Sequence, residues 1–386
     1  MKTITDDIRY IGVDDHEIDL FEGQYSVPHG MCYNSYVIYD ERIAVMDSVD
    51  RRFTGAWLEN LRGALAGKKP DYLVISHMEP DHSASIAAFA GEYPEAAAVG
   101  NARTFAMMDN FYGPGLFPNR VTVSDGERLS LGTHALTFLF APMVHWPEVM
   151  VSYEEKDGAL FSADAFGRFG ASDAPEGWAG EARRYYIGIV GKYGVQVQGL
   201  LKKAAALDIR RICPLHGPVL IEGIDRCVDL YDKWSSYTPE EEGLVIAYTS
   251  VYGHTKQAAE LLARCVEERS GMPVTVHDLA RTDMSLAVAD AFRYSKLVLA
   301  TTTYNGDVFP FMKEFIDHLT ERNFQKRTVG FIENGSWAPQ AFRIMSGMMD
   351  KCKDVLCLDQ VVTIKSAMTE ANRAAVAALA AALLGD

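Results

Sequence analysis

The chain has 386 residues, of which 48% are hydrophobic and 23% charged, a balance typical of a soluble enzyme with two or three domains. The formal net charge of −15 argues against a nucleic-acid or anionic-membrane partner, because both are themselves negatively charged. No apolar stretch approaches the roughly 20 residues that a membrane-spanning helix needs, and the polar N-terminus is unlike a signal peptide. We therefore predict a cytoplasmic protein.

The cysteines are scattered and contain no Cys-x-x-Cys motif. This pattern argues against a rubredoxin module, a zinc ribbon or an iron–sulfur cluster within the chain. A disulfide framework is also not expected in a large protein that lacks a secretion signal. We interpret all of them as buried or incidental thiols: Cys32, Cys213, Cys227, Cys265, Cys352 and Cys357.

The first half of the chain contains short apolar runs separated by loops, which predict strands at Ser35–Tyr39, Ile43–Asp47, Tyr72–Ser76, Ala135–Ala141, Ala159–Ser162 and Arg211–Pro214. The third run leads directly into four side chains that can bind metal: His77, Glu79, Asp81 and His82. Crowding these groups into one loop is costly unless a cation neutralises the carboxylates and accepts the imidazole lone pairs. The spacing predicts a binuclear metal site.

Three further candidates, His145, Asp164 and His216, each follow a later predicted strand. Loops at strand ends hold side chains on a rigid scaffold while leaving them free to converge. The complete set has four imidazoles and three carboxylates, which gives about four ligands to each of two ions if one carboxylate bridges, and this mixture favours iron over zinc. The remaining histidines are not predicted to bind metal: His16, His29, His134, His254, His277 and His318.

The polar, acidic segment from Lys233 to Glu242 reads as a linker to a second domain. Beyond it, strands alternate regularly with helical segments, which predicts one doubly wound parallel sheet. The predicted strands are Leu244–Tyr248, Val274–Asp278, Leu297–Thr301, Thr328–Ile332 and Val361–Ile364.

The first strand of this half is followed by a hydroxyl-rich turn and a helix, with the candidate residues Thr249, Ser250, Val251, Tyr252, Gly253, His254 and Thr255. Backbone N–H groups and the helix dipole at such a turn bind a phosphate. The motifs of triphosphate and dinucleotide loops are absent. The loop resembles the FMN-phosphate loop of flavodoxins, with His254 where Asn is more usual.

Two later strand ends supply candidates for the flavin ring, with Tyr304 and Trp337 as flanking aromatics and glycines that allow close approach. The candidates are Thr302, Thr303, Tyr304, Asn305 and Gly306 after the third strand, and Asn334, Gly335, Ser336 and Trp337 after the fourth.

Residues 1–235 resemble the metallo-β-lactamase fold, whose motif His-x-[His/Glu]-x-Asp-His matches His77–His82 with Glu79 at the variable position. Residues 243–386 resemble flavodoxin. Together they resemble the flavodiiron protein family, whose order of motifs includes His145-Trp146-Pro147-Glu148. The resemblance implies an α/β protein: an αββα sandwich followed by a doubly wound parallel sheet.

The resemblance further implies two irons and FMN as cofactors. One iron would bind His77, Glu79 and His145, the other Asp81, His82 and His216, with Asp164 bridging them. Whether His82 binds stays open, because some family members do not engage the corresponding residue. No catalytic residue is expected beyond these ligands. The expected activity is reduction of O2 to water, of NO to N2O, or of both.

The resemblance implies a head-to-tail homodimer or a dimer of dimers, and a separate electron donor such as rubredoxin, since no donor domain is expected after the flavodoxin-like part. Two alternatives stay open. One is a binuclear zinc hydrolase with an accessory flavodoxin-like domain, in which the metals activate water. The other is an electron-transfer flavoprotein with a vestigial metal fold.

Overall fold

The computed structural model describes residues 2–175 and 177–385 and divides the chain into two units. The N-terminal unit comprises residues up to Tyr186 together with Tyr193–Asp232, and the C-terminal unit comprises Ile187–Lys192 and the residues from Lys233 onward. The outer ends of the predicted domain ranges, Met1 and Asp386, lie outside the described residues. In the described part of the chain, no helix is both long and apolar enough to cross a membrane.

The strands of the N-terminal unit are short. They are β1 (Lys2–Thr3), β2 (Ile8–Tyr10), β3 (Val13–Asp15), β4 (Leu20–Phe21), β5 (Tyr25–Ser26), β6 (Met31–Tyr33), β7 (Tyr36–Ile38), β8 (Ala44–Met46), β9 (Tyr72–Val74), β10 (Ala97–Gly100), β11 (Arg120–Thr122), β12 (Arg128–Ser130), β13 (Ala135–Phe140), β14 (Met150–Glu154), β15 (Ala159–Phe161) and β16 (Arg211–Cys213). The helices are α1 (Thr54–Leu65), α2 (Pro80–Ser83), α3 (Ile86–Glu92), α4 (Ala102–Tyr112), α5 (Ala179–Tyr185), α6 (Gly194–Ala204) and α7 (Ile224–Ser235).

Two large mixed sheets form the centre of the N-terminal unit, and β3 pairs with β6 and β4 with β5 in two small separate sheets. The first has the strand order β1-β2-β7-β8-β9-β10-β11, and the second has the order β12-β13-β14-β15-β16. Apolar side chains from both sheets share one core, in which Tyr36 and Met46 of the first sheet join Phe138 and Met150 of the second. The strands pair in parallel from β8 to β11 and from β15 to β16, so their carboxyl ends carry the loops toward one edge.

The C-terminal unit alternates strands with helices: β17 (Glu241–Tyr248), α8 (His254–Ser270), β18 (Val274–Asp278), α9 (Met284–Arg293), β19 (Tyr294–Tyr304), β20 (Asp307–Val308), α10 (Pro310–Glu321), β21 (Thr328–Asn334), α11 (Ala341–Met349), β22 (Leu356–Ile364) and α12 (Glu370–Leu384). The parallel strands follow the order β18-β17-β19-β21-β22. This is the doubly wound order 2-1-3-4-5. The predicted fold class, an αββα sandwich followed by a doubly wound parallel sheet, is confirmed.

Each strand predicted from the sequence is present, but several bounds differ. The third strand of the C-terminal unit extends to Tyr304, and the fifth begins at Leu356. Strand β14 was not predicted, because its polar residues Ser152 and Glu154 interrupt the apolar run in the sequence. In the structure all five of its residues are nevertheless buried. The predicted linker overlaps α7 and β17, so residues 236–240 connect these two elements.

Truncation of a side chain between the two sheets should destabilise the N-terminal unit. Phe138 is fully buried, so Phe138→Ala should lower the free energy of unfolding by about 3–5 kcal/mol. Phe111 is 48% exposed, and Phe111→Ala should change it by less than about 0.5 kcal/mol. Urea titration followed by circular dichroism measures both variants. Equal effects would contradict the assignment of this core.

Candidate metal centre and phosphate loop

The seven predicted ligands lie on loops and a short helix at the carboxyl ends of strands. His77 and Glu79 follow β9, and Asp81 and His82 belong to α2, which begins at Pro80. Proline fits the first turn of a helix, because the N–H that it lacks would have no partner there. The remaining ligands follow β13, β15 and β16: His145, Asp164 and His216.

The structure brings His77, Glu79, His145 and Asp164 together into one group, whose first three members we call position 1. Nε2 of His77 lies 3.1 Å from Oε2 of Glu79, and Nε2 of His145 lies 3.0 Å from the same oxygen. Atoms bound to one ion at about 2.1 Å in octahedral geometry lie about 3.0 Å apart. These separations fit a shared metal ion.

Asp81, His82 and His216 form a second group, which we call position 2. Nε2 of His82 lies 3.2 Å from Oδ2 of Asp81 and 3.0 Å from Nε2 of His216. Nε2 of His216 is also 3.2 Å from Oδ2 of Asp81. His82 therefore points its Nε2 into this group together with the other two side chains.

Asp164 stands between the two positions. Its Oδ2 lies 3.3 Å from Nε2 of both His77 and His145, and its Oδ1 lies 3.3 Å from Nε2 of His82 and 3.7 Å from Nε2 of His216. The carboxylate is thus shared, with one oxygen directed at each group. This is the arrangement that a bridging carboxylate requires.

The donor set fits a cation at each position. Within the described residues, both oxygens of Asp81 and of Asp164 and the Nε2 of His145 are buried without a hydrogen-bond partner. Buried polar atoms rarely stay unpaired in this number, and charged ones are especially costly. Mixed imidazole and carboxylate ligands suit iron or manganese. The site therefore has the chemistry of a binuclear centre.

The electrostatics of the site also call for positive charge. Burial alone would raise the pKa of Asp164, but the adjacent imidazoles of His145 and His77 hold it well below its usual value. Burial alone would lower the pKa of His77, whereas Asp164, Glu148 and Glu79 raise it well above its usual value. The carboxylates therefore retain positive charge beside them, as protons on imidazole or as metal ions in their place.

Two hydrogen bonds orient the ligand imidazoles from behind. Nδ1 of His77 donates to Oε1 of Glu148 at 2.8 Å, and Nδ1 of His216 donates to the carbonyl oxygen of Cys32 at 2.8 Å. Each bond leaves Nε2 free to face the centre. Glu148 belongs to a motif that the sequence analysis noted without giving this residue a role. No feature of the sequence indicated that Cys32 lies beside His216, because the two residues are far apart in the chain.

Aromatic rings pack against two of the predicted ligand imidazoles. Phe21 and Tyr185 lie 5.4 and 5.5 Å from the ring of His216, and Trp146 lies 5.1 Å from the ring of His77. The ligands themselves differ in exposure: Glu79, Asp81 and His145 retain 17%, 13% and 9% of their side-chain exposure, while the others are buried. The open side of the centre therefore runs along these three ligands.

A third group of possible metal ligands, His134, Glu154 and Asp157, lies elsewhere in the N-terminal unit. Nδ1 of His134 donates to Glu154 at 2.8 Å, and the Lys156 ammonium lies 2.6 Å from Asp7 and 3.1 Å from Nε2 of His134. The lysine already supplies the positive charge of this cluster. It is a hydrogen-bonded ion network, and the prediction that His134 does not bind metal stays a prediction.

The predicted phosphate loop connects β17 to α8. Gly253 adopts φ of 91°, which other residues rarely adopt, and its N–H donates to Oγ of Ser250 at 3.1 Å. Thr255 in the first helical turn is fully buried, and its Oγ1 has no hydrogen-bond partner among the described residues. An unpaired hydroxyl at a helix N-terminus, where the dipole favours anions, fits a phosphate group.

The second predicted segment forms a hairpin. Thr302, Thr303 and Tyr304 continue β19, and Asn305 and Gly306 form a two-residue turn with φ of 50° and 73°. Asn-Gly is the preferred sequence for such a turn, because both residues tolerate positive φ. The Oγ1 of Thr302 is buried and unpaired within the described chain.

Thr303 and Asn334 are among the predicted cofactor contacts whose side chains form hydrogen bonds inside the unit. Oγ1 of Thr303 accepts hydrogen bonds from the N–H groups of Gln340 and Ala341, and the amide of Asn334 pairs with the backbone of Ser366. The predicted flanking aromatic residues lie at the surface, with Trp337 93% and Tyr304 46% exposed, and Tyr252 is 89% exposed. These aromatic side chains are available to contact a bound ring.

The comparisons with known proteins match both halves of the chain. Residues 31–217 match the model of the ODP family of β-lactamases, and residues 245–353 match the flavodoxin domain model. An uncharacterized protein of Methanocaldococcus jannaschii is 27% identical over 82% of this chain and 81% of its own length. The anaerobic nitric oxide reductase flavorubredoxin of Vibrio vulnificus is 26% identical over 86% of this chain and 70% of its own length.

Solved structures share the fold over nearly the whole chain. The flavodiiron protein of Giardia intestinalis has a TM-score of 0.92 at 23% identity and covers 98% of this chain and 95% of its own. The rubredoxin oxygen:oxidoreductase of Desulfovibrio gigas has a TM-score of 0.89 at 24% identity, with 100% and 98% covered. The flavodoxin domain implies FMN, and the family together with the two ligand groups indicates a di-iron centre. The two family models and these relatives confirm the resemblance to the flavodiiron protein family that the sequence indicates.

Proposed function

We propose that the protein is an oxidoreductase that reduces O2 to water, NO to N2O, or both, at a di-iron centre supplied with electrons through FMN. The observation that carries the proposal is Asp164, whose two oxygens face two separate ligand groups in a chain that also has a flavodoxin domain. A binuclear centre alone would also suit hydrolysis, and the flavodoxin domain adds a source of electrons.

We propose His77, Glu79 and His145 as ligands of one iron, Asp81, His82 and His216 as ligands of the other, and Asp164 as the bridge. When bound, two ferrous ions supply two electrons and FMN supplies two more, which is enough for four-electron reduction of O2 or two-electron coupling of two NO molecules. The protein's own part is to hold the ligands, exclude bulk water and leave one side open.

The surroundings of the centre suit a small, uncharged substrate. Phe21, Tyr185 and Trp146 place aromatic surface against the ligand imidazoles. The partly exposed side chains of Glu79 and His145 leave the centre accessible from one side. Apolar walls favour a diatomic gas over a charged or bulky substrate, because a charged group would lose its hydration there.

For FMN we propose the predicted contacts, with the phosphate on the loop after β17 and the ring beside the hairpin and Trp337. Thr303 and Asn334 would contribute backbone groups, because their side chains are engaged elsewhere. The proposed contacts are Thr249, Ser250, Val251, Tyr252, Gly253, His254, Thr255, Thr302, Thr303, Tyr304, Asn305, Gly306, Asn334, Gly335, Ser336 and Trp337.

We further propose that a separate redox protein of the rubredoxin type reduces the FMN. The name of the D. gigas relative includes rubredoxin, and that of the V. vulnificus relative is flavorubredoxin. A head-to-tail homodimer, in which the FMN of one subunit serves the di-iron centre of another, is the arrangement that the family resemblance suggests. The hydrodynamic mass of the purified protein would show whether it dimerises.

Removal of one hydroxyl tests the phosphate loop. Thr255→Val keeps the volume but deletes the unpaired Oγ1, so the Kd for FMN should rise about tenfold or more, the value of a hydrogen bond to a charged group. Thr104→Val is the matched control, because its Oγ1 is also buried and unpaired in the first turn of a helix, α4. Quenching of FMN fluorescence measures both. Equal affinities in the two variants would contradict the placement of the phosphate.

Removal of the shared carboxylate tests the metal centre. Asp164→Ala should lower the rates of O2 and NO consumption by about 100-fold or more. Loss of a residue that only hydrogen-bonds a metal ligand already lowers metal affinity or activity by about 10- to 100-fold. Its FMN should remain reducible by dithionite. Asp208→Ala, at an 82% exposed side chain, should behave as the unmodified protein. Full gas consumption by Asp164→Ala would instead support a flavoprotein with a vestigial metal fold.

Metal analysis and gas electrodes test the activity. The purified protein should contain two irons and one FMN per chain and, after anaerobic reduction, should consume O2 or NO when each is added to the same preparation. The ratio of the two initial rates decides the preferred gas. Two zinc ions together with thioester or lactam hydrolysis would replace the proposal by a zinc hydrolase.

A further inference from the structure

We propose that the two metal positions are unequal, that position 1 retains its ion more firmly than position 2, and that Glu148 is the positioning residue responsible. The inference deepens the proposed function and rests on its di-iron assignment. It concerns the residues behind the ligands, which differ between the two positions in charge and in hydrogen bonding.

At position 1, a fully buried carboxylate stands behind the imidazole of His77. Oε1 of Glu148 accepts a hydrogen bond from Nδ1 of His77 at 2.8 Å and another from the backbone N–H of Met78 at 2.8 Å. A carboxylate in this place fixes the tautomer of the imidazole and makes its Nε2 a stronger donor to a metal. It also adds a second negative charge near this position, beside that of Glu79.

Glu148 is itself held firmly. Its backbone carbonyl accepts a hydrogen bond from Nδ2 of Asn101 at 2.6 Å, and Oδ1 of Asn101 caps α4 by accepting from the N–H groups of Arg103 and Thr104. The ring of Trp146 packs at 90° against that of His77. His77 is therefore clamped between a fixed carboxylate and an indole ring.

Among the described residues, no such carboxylate accepts a hydrogen bond from an imidazole of position 2. Nδ1 of His216 donates to the carbonyl oxygen of Cys32, which is a neutral acceptor. Nδ1 of His82 is buried and has no hydrogen-bond partner among the described residues. In the described part of the chain, neither imidazole therefore has a hydrogen-bonded carboxylate to add the basicity that Glu148 gives to His77, and no hydrogen bond orients the ring of His82. An ion here is held by weaker donors.

The difference can be measured by removing iron from the fully loaded protein under anaerobic conditions with a coloured ferrous chelator. Iron should leave in two phases of one ion per chain each. In Glu148→Gln the slow phase should accelerate about 10- to 100-fold, the usual effect of losing such a partner. Glutamine can still accept both hydrogen bonds, so the variant removes the charge and preserves the shape.

Glu154→Gln is the matched control. Glu154 is another fully buried carboxylate that accepts a 2.8 Å hydrogen bond from a histidine, His134, in the same unit but away from the centre. This variant should leave both phases unchanged. An equal acceleration there would show that Glu148→Gln acts through general destabilisation and would contradict the proposal.

Ligand variants assign the phases and still apply if Glu148→Gln does not fold. His82→Ala should retain only the slowly released iron, and His145→Ala only the rapidly released one. The reverse assignment, or two irons that leave the unmodified protein in a single phase, would overturn the inference while leaving the di-iron assignment intact. Failure of the unmodified protein to bind two irons would contradict the proposed function itself.

Discussion

The burial of Asp164 is the constraint on which the metal centre depends. A carboxylate with almost no exposure and no hydrogen-bond partner among the described residues is stable only if positive charge lies close to both of its oxygens. The structure meets this requirement by directing imidazoles from His77 and His145 at one oxygen and from His82 and His216 at the other. The same geometry divides the predicted ligands into two groups, each of which could hold one cation.

The two-sheet scaffold makes this convergence possible. Parallel pairing of β8 with β9 and of β15 with β16 delivers the ligand loops from the carboxyl ends of strands in both sheets. The sheets share a tightly packed core, so the loops begin from fixed points. The hydrogen bonds from His77 to Glu148 and from His216 to Cys32 then set the direction of each imidazole. Their unlike acceptors make the two positions chemically different.

The C-terminal unit also has buried polar atoms that have no hydrogen-bond partner among the described residues, but these suit an anion instead of a cation. The order 2-1-3-4-5 places β17 and β19 side by side, so the phosphate loop and the Asn305–Gly306 hairpin occupy neighbouring strand ends. The unpaired hydroxyls of Thr255 and Thr302 mark both of these elements. Both hydroxyls, which have no hydrogen-bond partner among the residues that the structure describes, are available to a bound ligand.

The sequence by itself determined the fold class, both domain types and the ligand candidates, because crowded ligands, strand periodicity and a hydroxyl-rich turn are local patterns. It could not show that Asp164 directs one oxygen at each group, or that Nδ1 of His77 is hydrogen-bonded to Glu148 rather than to water. Nor could it show that the side chains of Thr303 and Asn334 form hydrogen bonds within the unit. These features are decided by contacts between residues far apart in the chain, and only the tertiary packing brings such residues together.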